Sequence, residues 1–258
     1  MFDAGQLQPA YILHSRPFRD TSLIVDAWCM YTGRQTILVK GARKAQGRQP
    51  AKRTLLQPFQ PIQLCYGGRG EMGLLKHLEA AGVPLMLQGK ALYSGMYINE
   101  LILRLLPIAD PHANIFAFYQ SALSSLQTAQ DVEPALREFE SRLLMELGYH
   151  VDLTCDMMTK APITSTASYM LTPLQGVQEM QPDFSAAGAM VIAGSALLEL
   201  QQESVEYSVE ARKVSKYIAR VNLQAVLGDK PLHSRELFRQ LHVPSSVSNV
   251  DSDKAANK

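Results

Sequence analysis

Five short runs of strand-forming residues follow one another within the first 80 residues, and this pattern most constrains the fold of the chain. The runs are rich in branched and aromatic residues and are separated by turn signals such as Thr32-Gly33-Arg34. They occupy residues 10–14, 23–31, 35–39, 59–66 and 72–80. Five such strands in one small unit favour a barrel, and a five-stranded Greek-key barrel is the leading candidate.

After Gly82 the apolar residues recur at helical spacing instead. The pattern predicts helices over residues 84–106, 110–126, 131–147, 195–203, 208–227 and 234–242, with Asp131, Ser208 and Ser234 near helix starts and Gly148 and Gly228 just past helix ends. Residues 169–171 and 177–180 flank a Pro173/Gly176 turn and predict a small hairpin.

The predicted fold class is therefore α+β. We expect a barrel domain over residues 1–80 and a mainly helical domain over 81–242, with an irregular or hairpin insertion near 150–193. The tail at 243–258 is rich in Ser, Asn and Asp, so we expect it to be disordered. The segment 41–53 has no apolar periodicity and is predicted to be a mobile, solvated loop between the third and fourth strands.

The charges of the chain are segregated, although its formal net charge is only +1. Residues 1–80 hold 11 basic and 5 acidic side chains, whereas the remainder holds 14 basic and 19 acidic ones. Between Ala27 and Gly70 there are eight basic residues and no acidic one. A one-sign stretch in a near-neutral chain indicates an anionic partner, of which a nucleic-acid backbone is the commonest.

The residues predicted to bind nucleic acid come from this acid-free stretch. The basic candidates are Arg34, Lys40, Arg43, Lys44, Arg48, Lys52, Arg53 and Arg69. Tyr31 and Tyr66, at strand ends, are the aromatic candidates for stacking bases, while Trp28 is the more buried ring. The alternative interpretation is a solvated loop without a partner and aromatic rings that fill the barrel.

Two basic groups in the helical part could bind a partner instead. Arg137 and Arg142 flank Phe139, and an apolar groove rimmed by arginines suits a short acidic peptide that ends in an aromatic residue. Arg212, Lys216 and Arg220 share one helix face, which could dock an acidic tail or a second nucleic-acid segment. In both cases, salt bridges on a solvated helix face explain the same residues without a ligand.

No motif for catalysis, cofactor binding or metal binding stands out. The chain lacks G-x-S-x-G, a complete phosphate loop and H-E-x-x-H, so neither enzyme activity nor a cofactor is expected. Cys29, Cys65 and Cys155 form no C-x-x-C pair, which leaves a zinc site poorly supported and predicts two buried thiols in strands and one in a loop. No apolar run is long enough to span a membrane, and a cytosolic protein is the default expectation.

A series of short motifs resembles the RecO family of bacterial DNA repair and recombination proteins. The motifs are HSRP at 14–17, TSL at 21–23, GR at 33–34, KGAR at 40–43, LQPF at 56–59, GGRGE at 67–71, LYSG at 92–95, YINEL at 97–101, EPALR at 133–137, LGY at 147–149, KPL at 230–232 and SRELF at 234–238. They occur in order over about residues 8–242.

The resemblance implies an oligonucleotide-binding (OB) barrel on a helical domain, in a non-catalytic recombination mediator. Proteins of this kind bind single- and double-stranded DNA, anneal complementary strands and engage the acidic C-terminal tail of single-strand-binding protein (SSB). With RecR they help the RecA recombinase to displace SSB, so a cytoplasmic, nucleoid-associated protein is implied. Many members carry a four-cysteine zinc site in the helical domain, but this chain has only Cys155 there, so that site is expected to be missing.

The same sequence features are compatible with two other function classes. In the first, the chain is a protein-interaction adaptor whose basic loop binds acidic protein. In the second, it is an OB-type RNA binder. Salt-dependent binding to oligonucleotides would separate DNA binding from the first class, and a preference for DNA over RNA bears on the second.

Overall fold

The computed structural model describes residues 5–43, 52–68, 72–181, 190–202 and 207–241. Its first part is a closed barrel of five strands, as predicted. The strands are β1 (Gln8–Phe18), β2 (Ser22–Cys29), β3 (Gly33–Val39), β4 (Ile62–Gly67) and β5 (Gly73–Ala80). Their order around the barrel is β1-β2-β3-β5-β4, with β4 returning to pair with β1. Among these five described strands, β3 and β5 are the pair that runs parallel, so the topology is that of an OB barrel.

The predicted helices and hairpin are present beyond the barrel. The helices are α1 (Gly89–Leu105), α2 (Ala113–Thr128), α3 (Glu133–Glu146), α4 (Gly194–Leu200), α5 (Val209–Leu227) and α6 (His233–Leu241). A three-stranded sheet holds β6 (Ser168–Thr172) between β7 (Gly176–Glu179) and β8 (Ile192–Ala193). The expected disorder of the tail at 243–258 concerns residues outside those described.

Aliphatic side chains fill the barrel interior. Ile12, Val25, Ile37, Ile62 and Leu64 have no exposed surface and contact one another there. The thiols of Cys29 and Cys65 are buried in strands and Cys155 lies in a loop, as predicted. Burial raises the pKa of the Cys29 thiol to about 12, which keeps it protonated at neutral pH.

Three aromatic rings of the barrel pack outside it, which corrects for them the interpretation that the rings fill its interior. Tyr11, Trp28 and Phe59 belong to one core with the buried residues of α1, α2 and α3. The Trp28 ring lies 5.2 Å from the ring of Phe116 and 5.4 Å from that of Tyr119, between centroids. The barrel and the first three helices therefore share a hydrophobic core.

The C-terminal helix α6 begins at His233, one residue earlier than predicted, so Ser234, expected near the helix start, lies within its first turn. The Glu100 carboxylate on α1 accepts hydrogen bonds from the backbone N–H groups of His233 (2.9 Å) and Ser234 (2.8 Å), and from the Ser234 hydroxyl (2.6 Å). Partial burial raises the pKa of Glu100, but these bonds outweigh it and hold the pKa below its usual range. An anion at a helix N-terminus satisfies N–H groups that have no partner within the helix, so Glu100 fastens α6 to α1.

Candidate nucleic-acid interface

Both described ends of the predicted basic loop lie beside the turn between β1 and β2. The backbone N–H of Arg43 donates to the carbonyl of Thr21 in that turn (3.0 Å), and the N–H of Arg53 donates to the carbonyl of Ala42 (3.1 Å). Ala42 and Leu56 are buried in the barrel interior and anchor the two ends there. The fold thus brings residues 42–43 and 52–54 together, although a long segment separates them in the chain.

Five exposed cations gather at this end of the barrel, and we call them the barrel-end basic cluster. They are Arg19, Lys40, Arg43, Lys52 and Arg53. The guanidinium of Arg19 lies 5.3 Å from the centroid of the Phe18 ring, within cation–π distance. Four of these residues were predicted from the sequence. The predicted Lys44, Arg48 and Arg69 lie outside the described residues.

A row of residues on the outside of the barrel continues from this cluster. Arg16, Ile24, Leu38 and Leu74 are direct register partners across β1, β2, β3 and β5. Leu74 is 38% exposed and Arg16 is exposed at the β1 end of the row. Ile24 is only 8% exposed, so Leu38 and Leu74 supply the apolar surface of the row beside the cations. We call this row, together with the cluster, the open face of the barrel.

Arg16, Arg19 and Lys76 are exposed cations of the barrel that were not predicted from the sequence. All three lie outside the acid-free stretch, so the charge pattern did not single them out. The alternation of residues along β1 does not by itself place Arg16 on the outside of the barrel. Leu13 is an extra residue in this strand, and after it the side chains that would point inwards point outwards instead. Lys76 is likewise an extra residue, in β5, and its side chain lies over Gly67 of β4.

Arg34 and Tyr31 lie at the opposite end of β2 and β3 from the barrel-end basic cluster. The Nε of Arg34 donates to the carbonyl of Leu106 (3.1 Å), and the carbonyl of Arg34 accepts from the N–H of Ala109 (2.9 Å). Arg34 therefore ties the barrel to the segment after α1. Tyr31 is 45% exposed in the turn between β2 and β3.

Tyr66 points towards the barrel interior rather than onto the open face. It packs against the barrel core, and its ring lies against Gly73, where an added Cβ would come within 2.8 Å of it. Partial burial raises the pKa of Tyr66, whose hydroxyl interacts with the Thr32 side chain. The structure therefore does not bring Tyr31, Arg34 and Tyr66 together with the cluster.

The first predicted partner surface, on α3, is divided between two sides of that helix. Arg137 faces the buried Glu140, with 2.6 Å between its guanidinium nitrogen and the carboxylate. Phe139 is buried and forms the base of a small groove between α2 and α3. Arg142 borders this groove, and its guanidinium lies 5.1 Å from the centroid of the Phe118 ring. The groove encloses only about 10 Å³, which is space for one water molecule.

The second predicted partner surface, on α5, is largely paired with acidic residues. Arg212 contacts Asp131 at 3.3 Å, and Lys216 contacts Glu133 at the start of α3. Arg220 lies further along α5, beside a wider groove of about 620 Å³. The other arginine of that groove, Arg235 of α6, lies 5.7 Å from the centroid of the Tyr97 ring. Only Arg220 of the three thus remains available for a partner among the described residues.

The buried carboxylate of Asp156, next to Cys155, accepts hydrogen bonds from several backbone groups around the loop after α3. Asp156 is 2% exposed and accepts hydrogen bonds from the N–H groups of Met158 (2.8 Å), Thr159 (2.7 Å) and Glu179 (2.6 Å). These bonds join the loop after α3 to β7. Within the described residues, no three His, Cys, Asp or Glu side chains are placed to hold a metal ion. The described helices also include none long and apolar enough to cross a membrane.

Two family profiles together match most of the chain. The profile described as recombination protein O N terminal matches residues 6–83, and that described as recombination protein O C terminal matches residues 86–236. The chain belongs to the RecO family of DNA repair proteins. The RecO profiles meet in the connection between β5 and α1, and the resemblance inferred from the motifs is confirmed.

Individual relatives agree with the RecO assignment over nearly their whole length. The chain is 41% identical to the DNA repair protein RecO of Cellvibrio japonicus over 237 residues, which cover 90% of this chain and 96% of that protein. It is 40% identical to the RecO of Nitrosospira multiformis over 239 residues, or 91% and 95% of the two chains. The RecO of Pseudoalteromonas atlantica is 38% identical over 242 residues, or 94% and 98%.

Proposed function

We propose that this protein is a non-catalytic recombination mediator that binds single- and double-stranded DNA on the open face of its barrel. The observation that carries the proposal is the convergence of Lys40, Arg43, Lys52 and Arg53 beside the turn between β1 and β2, next to Arg19. Cations at this density neutralise phosphates and release counterions on binding. The loops and strand faces of OB barrels hold oligonucleotides in the same way.

Strand annealing follows from this binding without any catalytic group. Two complementary strands repel each other through their phosphates, and neutralisation by a basic surface lowers the free energy of bringing them together. Leu38 and Leu74, the more exposed members of the row, offer apolar contacts to bases that do not depend on sequence. In the cytoplasm, at the nucleoid, such a protein would act with RecR to load RecA onto single-stranded DNA coated by SSB.

A salt titration of DNA binding tests the proposal. The probe is a fluorescein-labelled single strand of about 20 nucleotides, and anisotropy is measured between 50 and 200 mM salt. The variant carries Arg43→Ala, Lys52→Ala and Arg53→Ala together. We expect its slope of log affinity against log salt to be shallower by about 2, because each phosphate contact contributes about 0.7 on single strands.

The matched control changes three cations of α5, with Arg212→Ala, Lys213→Ala and Lys216→Ala in one chain. Two of these side chains are paired with acidic residues, so we expect the wild-type slope to be retained. Equal slopes for the barrel variant and the wild type would contradict the proposed DNA surface. Tighter binding of the equivalent RNA strand would favour an RNA binder instead.

We further propose that an acidic SSB tail binds a groove of the helical domain that is bordered by an available arginine. The groove beside Arg142 is narrow, so a tail side chain would enter it only if Phe118 or Arg142 moved. The groove beside Arg220 and Arg235 is wide enough for several residues of a peptide without such movement. Arginine at either position suits carboxylate recognition.

Binding of a labelled acidic peptide with a C-terminal Phe to Arg142→Ala and to Arg220→Ala chooses between these grooves. The variant that lowers affinity identifies the groove, and Arg212→Ala is the control because Asp131 already pairs with it. Arg137→Ala is unsuitable for this test, since it would leave the buried Glu140 without its cation. Unchanged affinity in both test variants would exclude both grooves.

A further inference from the structure

Strand β1 contains one residue more than its partner β2, and this residue is Leu13. Ile12 pairs with Ala27 and His14 pairs with Asp26, so that no residue of β2 stands opposite Leu13. This is a β-bulge, in which two residues of one strand oppose one residue of the other. The Leu13 side chain is 4% exposed and packs into the core shared with the helices.

The bulge determines which residues of β1 face outwards beyond it. With the bulge, Arg16 pairs with Ile24 and points to the outside of the barrel, where it is exposed. Without the bulge, the register that pairs Ile12 with Ala27 would continue along β1. It would place Arg16 opposite Leu23, whose side chain lies in the barrel interior. A shift by one residue exchanges the two faces of a strand. The position of Arg16 on the open face therefore depends on the bulge.

The helical domain holds the bulge through a chain of two buried hydrogen bonds. The Nδ2 of Asn99 on α1 donates to the carbonyl oxygen of Leu13 (3.1 Å). The hydroxyl of Tyr119 on α2 donates to the Oδ1 of Asn99 (2.8 Å), which orients the amide. Asn99 is 3% exposed and Tyr119 has no exposed surface, so water does not compete for these bonds.

We propose that Asn99 is a positioning residue for DNA binding, which fixes the bulge at Leu13 and thereby holds Arg16 outwards as a phosphate contact. This inference rests on the proposed DNA-binding function. Asn99 itself is too deeply buried to touch DNA and acts through the β1 backbone. A neutral amide suits this place because it donates to the Leu13 carbonyl with one end and accepts from Tyr119 with the other.

The test compares Asn99→Asp, Arg16→Ala and the double variant in the salt titration described above. Asn99→Asp retains the size of the side chain and the acceptor for Tyr119 but loses the donor to Leu13. We expect Arg16→Ala to make the slope shallower by about 0.7 and to weaken binding about fivefold at 0.1 M salt. Asn99→Asp should give the same change, and the double variant should not exceed either single variant.

Folding is checked by circular dichroism, and binding is measured well below the melting temperature. A purely structural role for Asn99 would lower the melting temperature of Asn99→Asp but leave its slope unchanged, and that result overturns the inference. Additive losses in the double variant also overturn it, as does a wild-type slope in Arg16→Ala. If Asn99→Asp does not fold, Tyr119→Phe replaces it, with a shallower slope expected and an unchanged slope as the contrary result.

The salt titrations of these variants distinguish a wrong role of Asn99 and Arg16 from a wrong DNA surface. If the triple variant of Arg43, Lys52 and Arg53 has the shallower slope while Arg16→Ala and Asn99→Asp keep that of the wild type, the roles of Arg16 and Asn99 are wrong and the barrel-end basic cluster remains the DNA surface. If the triple variant also keeps the wild-type slope, the open face is not the DNA surface, and the inference is overturned with it.

Discussion

The hydroxyl of Tyr97 on α1 lies 2.5 Å from the carboxylate of Glu140 on α3, in a region with almost no exposed surface. The second carboxylate oxygen of Glu140 contacts Arg137 at 2.6 Å. Burial raises the pKa of both Tyr97 and Glu140, and the nearby Arg137 opposes the change at Glu140. The pair connects α1 and α3 by buried polar contacts, and removing either partner would leave the other buried without a hydrogen bond, which destabilises the fold.

We expect Glu140→Ala to lower the free energy of unfolding by about 3–5 kcal/mol, because it leaves the Arg137 cation and the Tyr97 hydroxyl unpaired. Tyr97→Phe should cost less, about 1–3 kcal/mol, since only one hydrogen bond to the carboxylate is lost. Urea unfolding measures both values. Glu138→Ala, at an exposed position on the same helix, is the control and should change stability by no more than about 0.5 kcal/mol.

Trp28 reports on the contact between barrel and helices, because it is the only tryptophan of the chain and has no exposed surface. We expect its fluorescence to be blue-shifted in the folded protein and to shift to the red when the shared core opens. If the barrel and helices unfold as one unit, fluorescence and circular dichroism will give the same urea transition. Separate transitions would contradict a single cooperative core. Trp28→Ala should lower the free energy of unfolding by about 3–5 kcal/mol.

Local patterns in the sequence predicted most elements of this fold. Strand runs with turn residues between them marked β1 to β5, and helical spacing marked α1 to α6, because both periodicities are properties of short segments. The bulge at Leu13 was not predicted, since it leaves no signal in a run of apolar residues. The sequence also could not show that Trp28 and Tyr11 pack against helices, because this depends on how α1, α2 and α3 pack against the barrel.

The candidate site was predicted only in part for a similar reason. Charge segregation identified Lys40, Arg43, Lys52 and Arg53, which the structure places at one end of the barrel. It could not separate Arg34 from them, because strand β3 carries Arg34 to the opposite end. The pairing of Arg212 with Asp131 was also hidden, since it joins residues 81 positions apart whose proximity depends on how α5 packs against α3.

Gly33 lies where the barrel backbone comes closest to the segment after α1 that contains Asp110. Its φ is +70°, and an added Cβ would lie 2.3 Å from the carbonyl oxygen of Asp110. We expect Gly33→Ala to lower the free energy of unfolding by about 3 kcal/mol or more, from backbone strain and a clash with a main-chain atom that cannot rotate away. Gly41→Ala is the matched control, with a φ of +66° and open space around its Cβ, and should cost only about 1 kcal/mol. Similar losses in the two variants would show that Asp110 moves aside.

Asp156 makes the stability of the loop after α3 depend on pH. Hydrogen bonds from the backbone of Thr159 and Glu179 lower the pKa of this carboxylate to about 2. Because the folded-state pKa is below the unfolded value near 3.9, the stabilisation is present above about pH 4 and is lost as the pH falls towards 2. We expect Asp156→Asn to remove this part of the pH dependence and to cost about 1–3 kcal/mol at pH 7, since an amide has one acceptor oxygen and would turn its NH2 group towards either the N–H of Glu179 or those of Met158 and Thr159. Urea unfolding between pH 7 and 2.5 measures both effects.

Asp152→Asn is the matched control, because Asp152 also has a pKa of about 2 but accepts hydrogen bonds only from neighbours in its own turn. If the pH dependence persisted in Asp156→Asn and disappeared in Asp152→Asn, it would come from Asp152 and the prediction for Asp156 would be wrong.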